Sequence, residues 1–293
     1  MIYIHWIVLV AYTVIAILAM ITVLMEHRQP AKTIAWVLVL SFLPLVGIIL
    51  YFFFGRRTRK NRNIWQKSLD QLTKRSMIEF AEQKQLELST DYQRLIQLFM
   101  NQNLALPFKN NTAEVYVSGY DFFPALFATI SKAKHHIHIA SYIIDDDPLG
   151  RLLRDTLIDK ARKGIEIRFL FDDVGSWKTK NKFFEQMREE GIEVHPFMPV
   201  RFPAFTGKVN YRNHRKIIVI DGKVGFIGGM NFAQRYIKGN KNVKWRDTHI
   251  KINGPAVYGL QRAFLIDWFY ADRTLITDRK YYPEIKITQP NNC

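Results

Sequence analysis

The chain has 293 residues, which is enough to bury a sizeable core and to form one large domain or two ordinary ones. Its 42 Lys and Arg residues outnumber 26 Asp and Glu residues. The resulting net charge of +16 favours an anionic partner, either nucleic acid or acidic lipid headgroups. The only cysteine is Cys293, which excludes an internal disulfide and argues against a thiolate zinc site.

Two apolar runs near the N-terminus predict a transmembrane helical hairpin over residues 1–55. The run from Ile2 to Leu24 contains no charged residue, and a second uncharged run extends from Thr33 to Phe54. About twenty apolar residues in a helix suffice to cross a bilayer core of roughly 30 Å. A secretory signal peptide fits less well, because the sequence lacks both a basic segment before the run and a small-residue cleavage site after it.

Basic residues after the second run predict the orientation of this hairpin. Five of the seven residues from Arg56 to Arg62 are basic, whereas the loop between the runs contributes only Arg28 and Lys32. The positive-inside rule therefore places the chain after Phe54 in the cytoplasm. We predict a multi-pass protein of the cell membrane with its main domain on the cytoplasmic side. Residues 56–111 are expected to form the basic membrane exit and a helical linker.

Strand-like and helix-like segments alternate over residues 112–272. Strands are predicted for AEVYVS, HIHIASYII, IEIRFLFDD, IEVHPFM and WRDTHIKING, and helices for residues 121–133, 149–164, 181–191 and 256–271. This alternation predicts an α/β domain with a mixed sheet flanked by helices. Residues 273–293 are expected to form a C-terminal tail.

The stretch NHRKIIVIDGKVGFIGGMN, residues 213–231, predicts a β-hairpin that carries polar groups. A two-residue turn at Asp221-Gly222 would pair Lys216 with Ile227 and His214 with Gly229. Because side chains alternate along a strand, this pairing would set the His, the Lys, Gly229 and Asn231 on one face. The position opposite the imidazole would then lack a side chain and leave room for a ligand.

The residue types on this face favour phosphoryl chemistry. The ammonium group of Lys216 and the amide of Asn231 are donors that suit an anion with several oxygens. An imidazole such as that of His214 attacks phosphorus or transfers protons near neutral pH. The pattern indicates a His nucleophile that needs no metal and no cofactor. A solvated rim with no chemical role remains the alternative interpretation.

The spacing of these residues resembles a known family. His214-x-Lys216, four residues, Asp221, six residues and Gly228-Gly229-x-Asn231 are similar to the motif of the phospholipase D superfamily. The apolar N-terminal pair, the basic exit, FDDVGS at residues 171–176 and WRDTH at residues 245–249 further resemble bacterial cardiolipin synthases. The resemblance implies a phospholipase D-like domain over residues 112–272, and it covers essentially the whole chain.

The resemblance also implies a reaction and a role for each motif residue. The reaction is phosphatidyl transfer between two phosphatidylglycerol molecules, which yields cardiolipin and glycerol. His214 is expected to form a phosphohistidine, while Lys216, Gly229 and Asn231 bind the phosphate. Asp221 is expected to support the catalytic motif, although Asp-Gly is equally good turn chemistry.

Active sites of this superfamily combine two copies of the motif, because one His attacks and a second protonates the leaving alcohol. The chain contains one copy; HHIHIASY at residues 135–142 lacks the Lys and the Gly-Gly-x-Asn and is predicted to be a strand. Two interpretations remain. The chain is a truncated or split product with half of the site, which we favour, or it pairs with a second copy of itself or with a chain that has a second motif.

Several acidic and His residues outside the motif have open interpretations. Asp247 and His249 lie two residues apart on a predicted strand, so they share a face and either line the site from behind or belong to the core. Asp172 and Asp173 end a strand, where both ligand binding and ordinary capping are common. The run of three Asp residues at 145–147 is expected to be a solvated loop rather than a metal site.

Two rival functions follow from the same sequence. One is a membrane-tethered phosphodiesterase or nuclease that acts as a homodimer, and the other is a non-catalytic partner that binds anionic membrane lipids. Nucleic acid is disfavoured because the basic residues concentrate at the membrane exit and no platform of aromatic and basic residues is evident.

Overall fold

The computed structural model describes residues 2–25, 30–51, 92–95, 97–98, 108–199, 212–239 and 245–285. The described residues fall into two compact units, an N-terminal helical unit and an α/β domain. The predicted basic exit, most of the predicted linker, and the tail after residue 285 lie outside the described residues.

The N-terminal unit consists of three helices, α1 (Ile2–Met25), α2 (Pro30–Phe42) and α3 (Pro44–Leu50). Pro44 separates the last two, because its missing N–H suits the first turn of a new helix. The helices pack through a small cluster of Val23, Leu40 and Tyr51. Within the part of the chain that the structure describes, no helix combines the length and the apolar character that crossing a membrane requires. The transmembrane hairpin stays a prediction.

A seven-stranded mixed sheet forms the centre of the α/β domain. Its strands are β1 (Thr112–Tyr116), β2 (His136–Ser141), β3 (Glu166–Asp172), β4 (Glu193–Phe197), β5 (Ile217–Ile220), β6 (Val224–Gly228) and β7 (His249–Asn253). They lie in the order β1-β7-β6-β5-β2-β3-β4. The β2, β3 and β4 strands are parallel and every other pairing is antiparallel, which confirms the predicted mixed sheet.

Helices cover both faces of this sheet, as the alternation predicts. They are α4 (Gly119–Ile130), α5 (Pro148–Arg162), α6 (Asn181–Glu189), α7 (Arg235–Lys238) and α8 (Val257–Asp272), followed by a 3-10 turn at Arg279–Tyr281. The first four helices lie over the larger apolar core, which includes Phe122 and Phe169. The α8 helix covers the opposite face with Phe264 and Trp268.

The hairpin of β5 and β6 differs from the prediction by one residue. Ile220 pairs with Val224, so the turn has three residues, 221–223, rather than two. Asp221 and Gly222 both adopt positive φ angles, 53° and 63°. The predicted pairings of Lys216 with Ile227 and of His214 with Gly229 are therefore wrong. If the observed register is extended by one residue beyond the strand, Lys216 lies beside Gly228.

The face of β2 that meets α8 contains a buried polar network. Gln261 of α8 lies between two fully buried imidazoles, with contacts of 3.2 Å to His136 Nε2 and 2.7 Å to His138 Nδ1. The guanidinium of Arg168 lies 3.3 Å from His138 Nε2 and donates to Tyr281 Oη at 2.8 Å. Both imidazoles thus belong to the core, which confirms that HHIHIASY is a structural strand.

This network predicts a loss of stability in acid. Burial lowers the pKa of His136 to about 4 and that of His138 well below its usual 6.5. The unfolded chain therefore binds more protons than the folded chain below pH 6.5. The neutral imidazoles make their whole contribution to the free energy of unfolding above that pH, and this contribution is lost as the pH drops towards 4. Each pKa unit corresponds to about 1.4 kcal/mol, and a loss of a few kcal/mol is expected between pH 7 and 4. Urea unfolding in nonionic detergent measures it.

Two variants test whether the imidazoles cause this pH dependence. His138→Gln removes one titrating group and should flatten the dependence while lowering stability at pH 7. Ile139→Val, a small deletion in the same buried strand, should lower stability and keep the wild-type dependence. Equal slopes in all three proteins would contradict the assignment.

Candidate active site

The motif residues His214 and Lys216 meet on the ring of Tyr142, just after the end of β2. The His214 imidazole is exposed and stacks on that ring, with 3.8 Å between centroids and 22° between planes. The ammonium group of Lys216 lies 5.5 Å from the same ring centroid and donates to the His214 carbonyl oxygen at 2.7 Å. An exposed imidazole with a buried cation against the same aromatic ring suits an attack on a phosphate that arrives from solvent.

Burial and one carboxylate control the charge of Lys216. Its side chain is only 8 % exposed, and this burial lowers the pKa of its ammonium group. The carboxylate of Asp247 opposes that shift and favours the charged form. Asp247 therefore lies close enough to the motif to act on it, as the shared-face argument predicts.

The two glycines of the motif have no side chains, and two side chains from the WRDTH stretch pack into the space that this leaves. A Cβ atom at Gly229 would lie 1.9 Å from Asp247 Oδ1, and a Cβ atom at Gly228 would lie 2.7 Å from His249 Cγ. Neither position tolerates a larger residue without displacing its neighbour. The gap that the sequence assigns to a ligand at Gly229 is filled by the Asp247 carboxylate.

His249 lies in β7 directly beside Gly228 and is fully buried. Its ring stacks on Phe122, with 4.0 Å between centroids, and neither ring nitrogen has a hydrogen-bond partner among the described residues. Burial, with the charge of Lys216 adding to it, lowers the pKa of this imidazole to about 3. The ring is thus neutral and packs behind the motif Lys, so both sequence interpretations hold in part: it is a core histidine adjacent to the site.

Asn231 is almost fully buried behind the Tyr142 segment. Its Oδ1 atom accepts a hydrogen bond from the Ile143 N–H at 3.0 Å, and its Nδ2 group donates to Tyr236 Oη. These bonds fix the chain that presents Tyr142 to His214. An Asn amide has two donors, and the second N–H of Asn231 forms no hydrogen bond among the described residues.

Asp221 lies at the opposite end of β5 from His214. Its carboxylate accepts backbone hydrogen bonds from the residues that lead into β2, Lys134 at 2.9 Å, His135 at 2.8 Å and His136 at 3.0 Å. The acid therefore joins the turn to the neighbouring strand, and the structure does not bring it to the imidazole. These contacts give Asp221 a structural role in holding the turn, and its part in the motif stays a prediction.

Two buried acids hold the segment around His214, and local sequence reasoning gives no role to one of them. Asp172, at the end of β3, accepts from the Asn213 N–H at 3.2 Å and pairs with Arg212 at 3.6 Å. Asp267 of α8 accepts from Asn213 Nδ2 at 2.8 Å and from the Arg215 guanidinium at 2.6 Å. Asn213 and Arg215, the residues on either side of His214 in the chain, are thus held in place. Asp267 has one sequence signal, a lone acid on the apolar face of a helix.

The three acids at 145–147 have separate structural partners. Asp145 pairs with Arg235 at 2.7 Å and Asp146 with Arg151 at 2.6 Å. Asp147 caps α5 by accepting from two backbone N–H groups. Among the described residues, no group of three or more His, Cys, Asp or Glu side chains is arranged to hold a metal ion.

The contact between Gly229 and Asp247 predicts a position-specific loss of stability. Gly229→Ala should displace the carboxylate and cost about 1–3 kcal/mol, the usual cost of overpacking. Gly229→Ala/Asp247→Ala, which removes the clashing atoms, should regain part of the loss. Gly259→Ala is the matched control, because its Cβ atom would meet only one atom, at 3.7 Å, within a helix. Thermal unfolding measures all three; no recovery in the double variant would contradict the contact.

The Asp267 contacts predict that this acid keeps the His214 segment rigid. Asp267→Asn should raise amide hydrogen exchange over residues 212–216 by about tenfold, the equivalent of one charge-assisted hydrogen bond. Exchange in the turn at 221–223 should not change. Asp272→Asn is the control, since its carboxylate lies on the same helix and contacts His195 at 3.4 Å. Equal exchange in both variants would refute a positioning role.

Comparison with known proteins identifies the family of this chain. Residues 126–268 match the family described as "Cardiolipin synthase, PLD-like domain", and residues 14–56 match "Phospholipase D-nuclease N-terminal". The cardiolipin synthase of Geobacillus sp. (strain WCH70) is 40% identical over 268 residues, which are 89% of this chain and 53% of that protein. The major cardiolipin synthase ClsA of Bacillus subtilis (strain 168) is 38% identical over 280 residues, 92% of this chain and 58% of that protein.

The chain thus spans little more than half the length of these relatives. Within residues 126–268 lie six of the seven strands, the His and Lys on Tyr142, and the glycine pair. The chain belongs to the bacterial cardiolipin synthases of the phospholipase D superfamily.

Proposed function

We propose that this chain carries the nucleophilic half of an active site for phosphatidyl transfer between two phosphatidylglycerol molecules. A ring nitrogen of His214 attacks the phosphorus of the first molecule, and the P–O bond to its terminal glycerol breaks. Glycerol leaves after it takes up a proton. A hydroxyl of the second molecule then attacks the phosphohistidine, loses its proton and frees His214, which yields cardiolipin.

One observation carries this proposal: the exposed imidazole of His214 and the ammonium group of Lys216 both lie against the ring of Tyr142. That ammonium group donates one hydrogen bond to the His214 carbonyl and has further protons for the phosphate oxygens. It offsets the negative charge that develops on those oxygens during attack. The free N–H of Asn231 serves the same phosphate, and Asp221 stabilises the hairpin that carries the motif.

The proton for the leaving glycerol comes from a second His motif in this proposal. The described site offers no candidate for that acid, because His249 is buried and held neutral. We favour a chain that carries a second motif as its source; a second copy of this chain is the rival source. The partners are therefore phosphatidylglycerol, other anionic membrane lipids and a motif-bearing chain.

We propose further that α1 to α3 anchor the protein in the cell membrane as a multi-pass hairpin, with the α/β domain on the cytoplasmic side. The α1 helix has no charged residue, and α1 and α2 leave large apolar side chains exposed, including Tyr3 and Phe42. The hydroxyls of Thr22 and Ser41 donate to carbonyls of their own helix at 2.8 Å, so these two polar groups are paired without water. Residues 56–111 would connect this anchor to the domain at 112–272, and 273–293 would follow it as a tail.

Labelled phosphatidylglycerol tests the role of His214. The purified chain in detergent should acquire label at this residue as an acid-labile, base-stable adduct, but should form cardiolipin weakly or not at all until a second-motif chain is added. His214→Ala should abolish the adduct, and Lys216→Ala should reduce it by at least about 100-fold, as loss of one electrostatic donor does. His195→Ala, on β4, is the control.

Three results would contradict parts of this proposal. Robust cardiolipin formation by the chain alone, abolished by His214→Ala, would show that a homodimer suffices. Labelling that survives His214→Ala would refute the nucleophile. Cleavage of single-stranded DNA together with inert lipid would replace the transferase by a nuclease.

A further inference from the structure

The loop after β3, residues 173–179, holds an exposed tryptophan on a rigid base. Trp177 is 79% exposed, although the loop on both sides of it is anchored. Buried Ser176 accepts from the Ile144 N–H at 3.1 Å, and buried Thr179 donates to the Ile144 carbonyl at 2.6 Å. Asp172 accepts from two further N–H groups of the loop. An indole held at the surface in this way exposes apolar area to water without a compensating contact. Such exposure indicates a surface that binds a partner.

This loop is separated from the nucleophile by a single aromatic ring. A Cβ atom at Gly175 would lie 2.2 Å from the Tyr142 carbonyl oxygen and 2.9 Å from its ring, so the loop packs directly on Tyr142. The opposite contact of Tyr142 is the stacked imidazole of His214, at 3.8 Å. Whatever the loop binds is therefore held beside the reacting group.

Three exposed lysines follow Trp177 closely along the chain. Lys178, Lys180 and Lys182 are all exposed, on the loop and at the start of α6. Among the described residues none of the three lysines forms an ion pair, and Asp145, which lines the same surface, pairs with Arg235 at 2.7 Å. A cavity of about 290 Å³ lies between these groups, lined by Asp145, Val174, Gly175, Trp177, Lys178 and Arg235. The edge thus combines one amphipathic ring with three unneutralised lysines.

We propose that this edge, defined by Trp177, Lys178, Lys180 and Lys182, docks the α/β domain on a bilayer that contains anionic phospholipid. An indole prefers the headgroup level of a membrane, because its ring is apolar and its N–H needs a polar partner. Lysines beside it are attracted to the negative surface potential. Docking turns His214 towards the phosphates of that bilayer, and this consequence rests on the proposed transferase function.

A lipid surface fits the edge better than a nucleic acid strand does. Single strands bind by stacking successive bases on several aromatic rings. Trp177 is the sole exposed large apolar residue of the described loop and of the start of α6. One indole beside three lysines matches one insertion point in a charged interface.

Depth-dependent quenching in nanodiscs tests the docking with the full chain. The nanodiscs contain phosphatidylcholine with or without phosphatidylglycerol, and bromine is attached at a shallow position of the acyl chains. Subtracting the fluorescence of Trp177→Phe isolates the signal of this residue from the other tryptophans. We expect this component to be quenched with phosphatidylglycerol and unquenched in phosphatidylcholine alone.

Two triple variants separate a local charge effect from the overall charge. Lys178→Gln/Lys180→Gln/Lys182→Gln should lose the quenching of Trp177. Lys132→Gln/Lys134→Gln/Lys223→Gln removes the same charge from exposed residues at the opposite end of the sheet, beside the turn at 221–223, and should keep it. Equal loss in both variants would refute a specific edge.

The outcomes also distinguish this proposal from the transferase. Quenching of Trp177 that persists in His214→Ala, combined with a failure of wild-type chain to form the phosphohistidine, leaves docking in place and refutes the reaction. Phosphohistidine formation with unquenched Trp177 refutes the docking and leaves the transferase reaction in place. A Trp177 signal that responds to single-stranded DNA and not to phosphatidylglycerol nanodiscs overturns the lipid surface in favour of nucleic acid.

Discussion

The close approach of β7 to the glycine pair is the constraint on which the site depends. Gly228 and Gly229 have no side chains, and His249 and Asp247 fill that space. The carboxylate that this packing brings in favours the charged form of Lys216, whose burial favours the neutral form. The same glycines therefore affect both the packing of β6 against β7 and the charge of Lys216.

The imidazole itself is positioned from outside its own strand. His214 precedes β5, so no ladder hydrogen bond fixes it, and its two neighbours are tied to Asp172 and Asp267 instead. Tyr142 supplies the surface on which the ring lies. An imidazole held by its neighbours stays exposed on one side, which is the access that the proposed attack on a membrane lipid requires.

The sequence predicts most elements of the domain and fails on the register of one hairpin. Alternating strands and helices are recognisable because each helix has one apolar face and each turn has its own residue types. In β5, however, Ile217, Ile218, Val219 and Ile220 are all buried, so both faces of the strand are apolar. A strand without alternation does not specify its register, and a slip of one residue leaves the hydrophobic pattern unchanged.

By itself the sequence determined the class of fold, the residues of the motif and, through them, the family. Those features depend on local spacing and residue type. Only the tertiary structure decided that Asp247 occupies the place expected for a ligand, that Asp221 binds the backbone leading into β2, and that Asp267 and Tyr142 hold the imidazole. These contacts join residues more than fifteen positions apart along the chain, and they depend on strand order and register, which no local pattern contains.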